Sequence, residues 1–502
     1  MTTKASFYID CHSDRQTELI PFFYILDEDA VIIFQTVFRK FMKPLDLVNL
    51  LIERFESDLT QESDTMLPTV RQQRIRWFFC LWLSQYWGDF QSSATRRMMM
   101  QFLERVRSYD RLTSVIDVLL PLAIREPALR DKDSGWGMCD DDMEHHKKAR
   151  KKDSGYNEWI PPHPKGGTIE RTRSLRRAVS TGHPKLPCFK SLVASLAITD
   201  RRRNSVPCRL DNLPTAVFGG GLVSIVQQQK SLPVDPYQVL SSLSPLTLAQ
   251  QLTWIEADIF RRIQPRDFLR HLWSCNSSNH HHEKNPVLAS IEHFNFVSGW
   301  IASLVVNQTL LDKRVTVFEF CLQLAVDLRG LNNFNTLMAV LAGINSAAVL
   351  RLKLTRDKCI TRNKKLFHVF LELESLMSSE RSFSNYRSTL KQTQVPGIPY
   401  LGIHQQDLVS LGEANKDHKI DGKVHWKKFR LMGDSILQMM RFQYPTYAFE
   451  PNPFLLYFIG HQSIPTEDER YEVSKQIEPR IGKPSLSTSS STTSSRWLSS
   501  LK

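Results

Sequence analysis

Pro399-Tyr-Leu-Gly-Ile-His-Gln-Gln-Asp-Leu-Val-Ser-Leu-Gly-Glu-Ala-Asn415 is the stretch that decides how the rest of the chain is read. Pro399 and Gly402 punctuate the end of a loop. A helix-compatible piece follows, with Leu408 and Leu411 three apart on one side. Residues 414–423 are polar, and Asn415, Asp417, Asp421 and Gly422 are turn formers. Beyond them Phe429, Met432, Ile436 and Met440 step by 3, 4 and 4, one face of an amphipathic helix. The pattern predicts a helical hairpin whose weakly apolar first arm is displayed rather than buried.

Helical periodicity extends outward from it. Leu248, Leu252, Ile255, Ile259 and Ile263 step by 4, 3, 4 and 4, and the face stops before Pro265. A helix follows over 266–273, and others are predicted over 287–306, 313–328, 334–344 and 364–378, with Asn333 capping the one from Phe334. In the first quarter, Pro44 suits the first turn of a helix carrying Leu47, Leu51 and Phe55 to about Ser57. Ile75, Phe79, Trp82 and Tyr86 mark a second, and Met98, Phe102 and Val106 a third. Leu112, Val115 and Leu119 continue beyond a turn. The fold class is all-α, in two parts: an N-terminal helical domain over 29–125 and a larger one over 241–481. A basic, largely disordered linker (126–240) joins them, and a Ser/Thr-rich disordered tail (482–502) follows.

The charge is concentrated. Of a net +13, residues 145–210 contribute sixteen Lys/Arg against four Asp/Glu, so no folded part has to be a basic surface and no nucleic-acid partner is expected. The same stretch suits attraction to an anionic membrane surface. Arg pairs place Ser174, Ser180 and Ser205 in contexts that basophilic protein kinases accept. The eight cysteines form no Cys-x-x-Cys pair, and the His280–His282 run reads as a polar loop; reduced thiols and no metal or other cofactor are expected. With no leader and no apolar run of the roughly 18–20 residues a span needs, the reading is a cytoplasmic protein, recruited peripherally to membrane if at all. Gly-x-Ser-x-Gly, the phosphate-binding Gly-x-x-x-x-Gly-Lys-Ser/Thr loop and His-Glu-x-x-His are absent, so no bond-making chemistry is predicted.

The quoted stretch resembles the Pro-Tyr-Leu-Gly…Asp-Leu…Glu-Gly-Asn signature of Ras-type guanine-nucleotide exchange factors. Five further blocks fall in that family's order over residues 246–480: Leu248-Ala249…Gln251-Leu252-Thr253…Glu256…Phe260…Pro265; Phe294-Asn295…Ser298…Trp300; Leu331-Asn332-Asn333-Phe334-Asn335; Asn345-Ser346…Val349…Arg351-Leu352; and Lys475…Ile477-Glu478-Pro479-Arg480. Upstream, Phe38-Arg39-Lys40-Phe41…Pro44-Leu45-Asp46-Leu47 and Trp82…Tyr86-Trp87…Asp89-Phe90 are similar to the Ras exchanger motif. That motif's opening Thr/Leu-rich helix has no clear counterpart in residues 1–28.

The resemblance implies a factor that binds a Ras-family small GTPase and releases its nucleotide. Release is slow unaided, because picomolar affinity corresponds to about −16 kcal/mol. By resemblance the hairpin is the wedge. Glu413 occupies donors that face phosphate and Mg²⁺, Val409 occludes the metal site, and Asn415 completes the segment. Asn345, Arg351, Tyr400, Leu401, Asn295, Lys428 and Arg430 are the implied GTPase-binding residues. The chain departs from the family at Gly412, Ala414, Glu292 and Leu350, where an acidic residue, Gly, Arg and Tyr occur in members. The rival expectation is a catalytically weak scaffold that keeps the fold and binds a GTPase or a membrane.

Overall fold

The computed structural model describes residues 28–59, 67–125, 137–142, 235–273 and 285–479. Among them no β-strand forms, only two isolated bridges. No helix is long and apolar enough to cross a membrane. Residues 145–210 with Ser174, Ser180 and Ser205, the His280–His282 run and the tail 482–502 lie outside the described residues.

The N-terminal module comprises α1 (Glu28–Val37), α2 (Pro44–Glu56), α3 (Val70–Gln85), α4 (Ser93–Val106) and α5 (Thr113–Ile124). Its core is aromatic: Phe38, Phe55, Phe79, Trp82, Phe90 and Phe102 are fully or almost fully buried. Thr69 and Gln72 start α3 with a reciprocal capping box. Residues 137–142, which the sequence places in the linker, return to this module. Asp140 accepts from the Leu45 N–H (3.0 Å) and the Thr95 hydroxyl (2.5 Å), and Asp142 from the Ser93 N–H (2.7 Å). Carboxylates at the first turns of α2 and α4 take N–H groups that those helices cannot satisfy themselves.

The larger body runs through α6 (Pro236–Ser242), α7 (Pro245–Arg261), α8 (Pro265–Trp273), α9 (Pro286–Val306), α10 (Leu311–Gly330) and α11 (Phe334–Ile344). It continues through α12 (Ala347–Leu350), α13 (Lys353–Arg362), α14 (Lys364–Leu376) and α15 (Ser384–Gln392). The hairpin arms are α16 (Leu401–Ala414) and α17 (Trp426–Met440); α18 (Pro453–Gly460) and α19 (Glu467–Ile477) close the chain. At the centre, α11 buries every apolar side chain it carries, and α9 and α10 bury most of theirs. Asn333 caps α11 as its position predicts, accepting from the Thr336 N–H at 3.0 Å.

The two cores meet across α1. Its Phe34 ring lies 6.3 Å from Trp426, and Phe41 lies 5.6 Å from Phe429. Contact is so close at Gly433 that a Cβ there would stand 2.4 Å from Ile33. Beside it lies a buried polar knot. The Asp89 carboxylate accepts from Trp82 Nε1 (2.7 Å), Arg39 Nη1 (3.1 Å) and both terminal nitrogens of Arg266 (3.1 and 2.7 Å). Arg266, from the larger body, also donates to the Gln35 carbonyl (2.8 Å) and stacks 3.6 Å from the Tyr86 ring. Burial alone would raise the Asp89 carboxyl, but the two guanidiniums outweigh it and hold it below the usual carboxylate range.

Candidate functional site

The first arm divides along its length. Leu401, Ile403, His404, Gln405 and Leu408 face the body, whereas Gln406, Val409, Ser410 and Glu413 face outward. Positions 406, 409, 410 and 413 share one helical face. Val409 is 39% exposed, and Glu413, one turn on, is exposed with no hydrogen bond or ion pair among the described residues. Asn295 is exposed as well.

The base of this arm is pinned from outside. Tyr400, the residue before α16, has no side-chain oxygen capping the helix, so the first N–H groups need other acceptors. Tyr386 Oη accepts from the Tyr400 N–H (2.8 Å) and Asn335 Oδ1 from the Leu401 N–H (3.3 Å). The Tyr386 hydroxyl also faces His404 Nε2 at 3.2 Å. Burial drives the His404 pKa down to about 4, so the imidazole is neutral and can accept there. Arg387 grips Asp407 through two bonds of 2.7 and 2.9 Å, tying α15 to the middle of the arm.

The far end is held by Lys428. Its ammonium is 3% exposed and donates to the Gly412 carbonyl (2.8 Å), the Asn415 carbonyl (2.6 Å) and Asp417 Oδ1 (2.7 Å). A cation at a helix C-terminus satisfies carbonyls left without N–H partners and complements the dipole. Glu413 sits between those two carbonyls. Lys40 of the N-terminal module reaches the same aspartate at 3.8 Å. The second arm is covered by α1, so both arms are braced.

Several implied contact residues are placed otherwise by the geometry. Lys428 works inside the hairpin, not on its surface. Tyr400 and Leu401 are each 2% exposed, and the Tyr400 ring stacks 5.8 Å from Phe294 beneath the arm. Arg351 clamps α19, donating to the Ser474 and Glu478 carbonyls, the latter at 2.8 Å. Asn345 has both ends of its amide engaged, donating to Glu374 (2.6 Å) and accepting from Arg356 (3.2 Å). Arg430 is half-buried and bonded to Asp434 (2.9 Å), and Asn415 is half-buried with its carbonyl on Lys428. Glu413, Val409 and Asn295 alone of the ten keep an exposed side chain.

Sequence reasoning missed Arg266, Lys40, Arg387 and Tyr386, whose partners are distant in the chain. It also missed the outward side of α14. There Phe367, Leu371 and Glu374 lie at i, i+4 and i+7, with Leu371 47% exposed and Glu374 holding Asn345.

What these features define is an all-helical protein of two docked modules, displaying a hairpin that is held at base and tip but bare along its leading face. Comparison with known proteins matches each module to a described domain. Residues 247–430 match the RasGEF domain, and residues 17–105 match the RasGEF N-terminal motif. Ras guanine nucleotide exchange factor P of Dictyostelium discoideum is 34% identical over 251 residues, 50% of this chain and 16% of that protein. Ras-specific guanine nucleotide-releasing factor 1 of Rattus norvegicus is 32% identical over 262 residues, 52% of this chain and 20% of that protein. The chain thus carries a RasGEF domain preceded by its N-terminal motif, and spans about a fifth or less of the length of these relatives.

Proposed function

We propose that this chain promotes GDP release from, and so GTP loading of, a Ras-family small GTPase, with α16 and α17 as the wedge. The observation that carries the reading is the bare pair Val409 and Glu413 on a hairpin braced at both ends. Such a face is largely left to solvent, yet is held in place by Lys428, Arg387 and α1. A carboxylate is an acceptor only, suited to donors that had faced phosphate. A branched apolar side chain beside it denies Mg²⁺ its oxygen ligands. Preferential binding of the nucleotide-free GTPase weakens nucleotide and exchanger binding reciprocally. To Asn295, already implied, we add the side of α14 that bears exposed Leu371 as contact surface.

Release of mant-GDP from Ras, Rap and Ral proteins, at several concentrations of this chain, tests the reading. Glu413→Ala should lower the maximal rate roughly ten- to a hundredfold, the loss of one charge-assisted hydrogen bond, without moving the half-saturating concentration. A wild-type maximal rate from that variant would remove the hairpin as the wedge. Acceleration of no GTPase by the unaltered chain would favour the scaffold.

The basic stretch supports a finer reading: a cytoplasmic protein drawn to anionic membrane through residues 145–210, with a basophilic kinase acting at Ser174, Ser180 or Ser205. Each Lys or Arg at an anionic surface is worth about 1 kcal/mol, and phosphorylation subtracts nearly two charges. Equal pelleting on anionic vesicles with and without residues 145–210 would dismiss it.

A further inference from the structure

We infer that Asn335 and Glu256 are positioning residues for the hairpin, fixing the start of its first arm from two other helices. The inference rests on the exchange reading for its functional consequence, but not for its structural one.

Leu401 needs an acceptor for its N–H and finds it in Asn335 Oδ1, on α11. An amide presents an acceptor at one end and donors at the other, and a half-turn exchanges them. Reversed, the Asn335 NH₂ would meet the Leu401 N–H, donor against donor. Glu256, on α7, prevents this. Its Oε1 accepts from Asn335 Nδ2 (2.9 Å) and from the Ser290 hydroxyl (2.7 Å), and Ser290 Oγ lies 3.3 Å from the same amide nitrogen. Its Oε2 faces His293 Nδ1 at 2.5 Å. The carboxylate can only accept, so the NH₂ end must point to it and the oxygen end to the hairpin.

Glu256 is fully buried, and Ser290 and Asn335 nearly so. An ionised carboxylate is costly to bury, and an apolar side chain would fill the space without that cost. What the carboxylate adds is direction. It converts a reversible amide into a one-way acceptor, and the chain Glu256–Asn335–Leu401 joins α7 and α11 to the root of α16, with Ser290 and His293 of α9 beside it. Neither residue has to touch a GTPase for this.

Asn335→Asp is the decisive variant. The new carboxyl keeps an oxygen toward Leu401 but sets a second oxygen against Glu256, with Ser290 and His293 the other polar groups at the junction. Two carboxyls at this distance share a proton, which is lost as pH rises. Two readouts should move together between about pH 6 and pH 8.5. Protection of the Leu401 amide against hydrogen exchange should fall at the higher pH, with Phe334–Ile344 still protected. The maximal rate of mant-GDP release should fall about tenfold relative to the unaltered chain, with the half-saturating concentration unchanged.

Glu256→Gln, itself a reversible amide, should lose part of the rate, and Glu256→Leu, which offers Asn335 no acceptor, should lose several-fold more. Amide protection and a pH profile in Asn335→Asp that parallel the unaltered chain would overturn the inference, as would equal losses from Glu256→Gln and Glu256→Leu. If the unaltered chain releases nucleotide from no GTPase, the exchange reading fails, and Leu401 protection still decides the positioning.

Discussion

At the scale of single residues, Lys428 shows how a charge can be structural. Its ammonium is buried among two carbonyls and a carboxylate. Lys428→Met keeps the aliphatic stem but leaves those acceptors without their donor. It should cost about 2–3 kcal/mol and raise hydrogen exchange across residues 412–425 more than elsewhere. Uniform exchange would show that the latch is not local. His404 sets an acid limit. Burial lowers its pKa to about 4, Asp407 opposing and Arg387 reinforcing, whereas a free imidazole titrates near about 6.5. Between those values the unfolded chain binds more protons than the folded one. Stability is therefore lost as pH falls through that window, by on the order of 3 kcal/mol. Denaturation midpoints from pH 7 to pH 4.5 should fall less steeply in His404→Gln; parallel slopes would remove His404 as the cause.

Among elements, α19 is a strap that buries only Ser474 completely and half-buries Tyr471, Val473 and Ile477 against the core, with polar side chains fixing its end. The Glu478 carboxylate just beyond it accepts from the Leu354 and Thr355 N–H groups (3.1 Å each), the Thr355 hydroxyl (2.7 Å) and Arg314 (3.1 Å). It caps α13 from elsewhere in the chain and pairs a buried guanidinium. Glu478→Ala would strand that charge, and a loss of about 3 kcal/mol in urea denaturation is expected. A change below about 0.5 kcal/mol would show that water replaces the carboxylate. The elements hardest to find from sequence were those with little to bury. Helix α13 buries only Thr355 and Cys359, and α15 only Tyr386 and Leu390, too few to draw an apolar stripe.

For the whole molecule, the question is what the N-terminal module does for the hairpin. Helix α1 lies along α17, and its contact at Gly433 leaves no room for a larger side chain. Gly433→Val should cost about 1–3 kcal/mol through overpacking and loosen the module without touching either core's own packing. The Asp89 knot offers an independent check. Because Arg266 and Arg39 lower that carboxyl against the effect of burial, its contribution is complete above an ordinary aspartate's pKa of about 3.9 and is lost as pH falls through the lower folded value. Deleting residues 28–125 should lower the melting temperature of the remainder. An unchanged melting temperature with lost exchange would instead place the module at the GTPase.

The amino-acid sequence by itself determined the helical class, several helix starts, the two modules and the resemblance to the RasGEF domain. Each is written locally, in apolar spacing, in prolines at first turns such as Pro44, Pro245 and Pro286, or in short blocks in order. Tertiary structure decided which polar residues are free to meet a partner. Lys428, Tyr400, Arg351 and Asn345, contacts implied by the resemblance, are engaged within the fold because another segment brings each an acceptor, a donor or a cover. Those segments come from far away: Glu374 for Asn345, Glu478 for Arg351, and Asp89, 177 positions distant, for Arg266. Local periodicity encodes which face of a helix is apolar. It does not encode which carboxylate the fold will carry to that helix, and that placement left Glu413 bare and Lys428 buried.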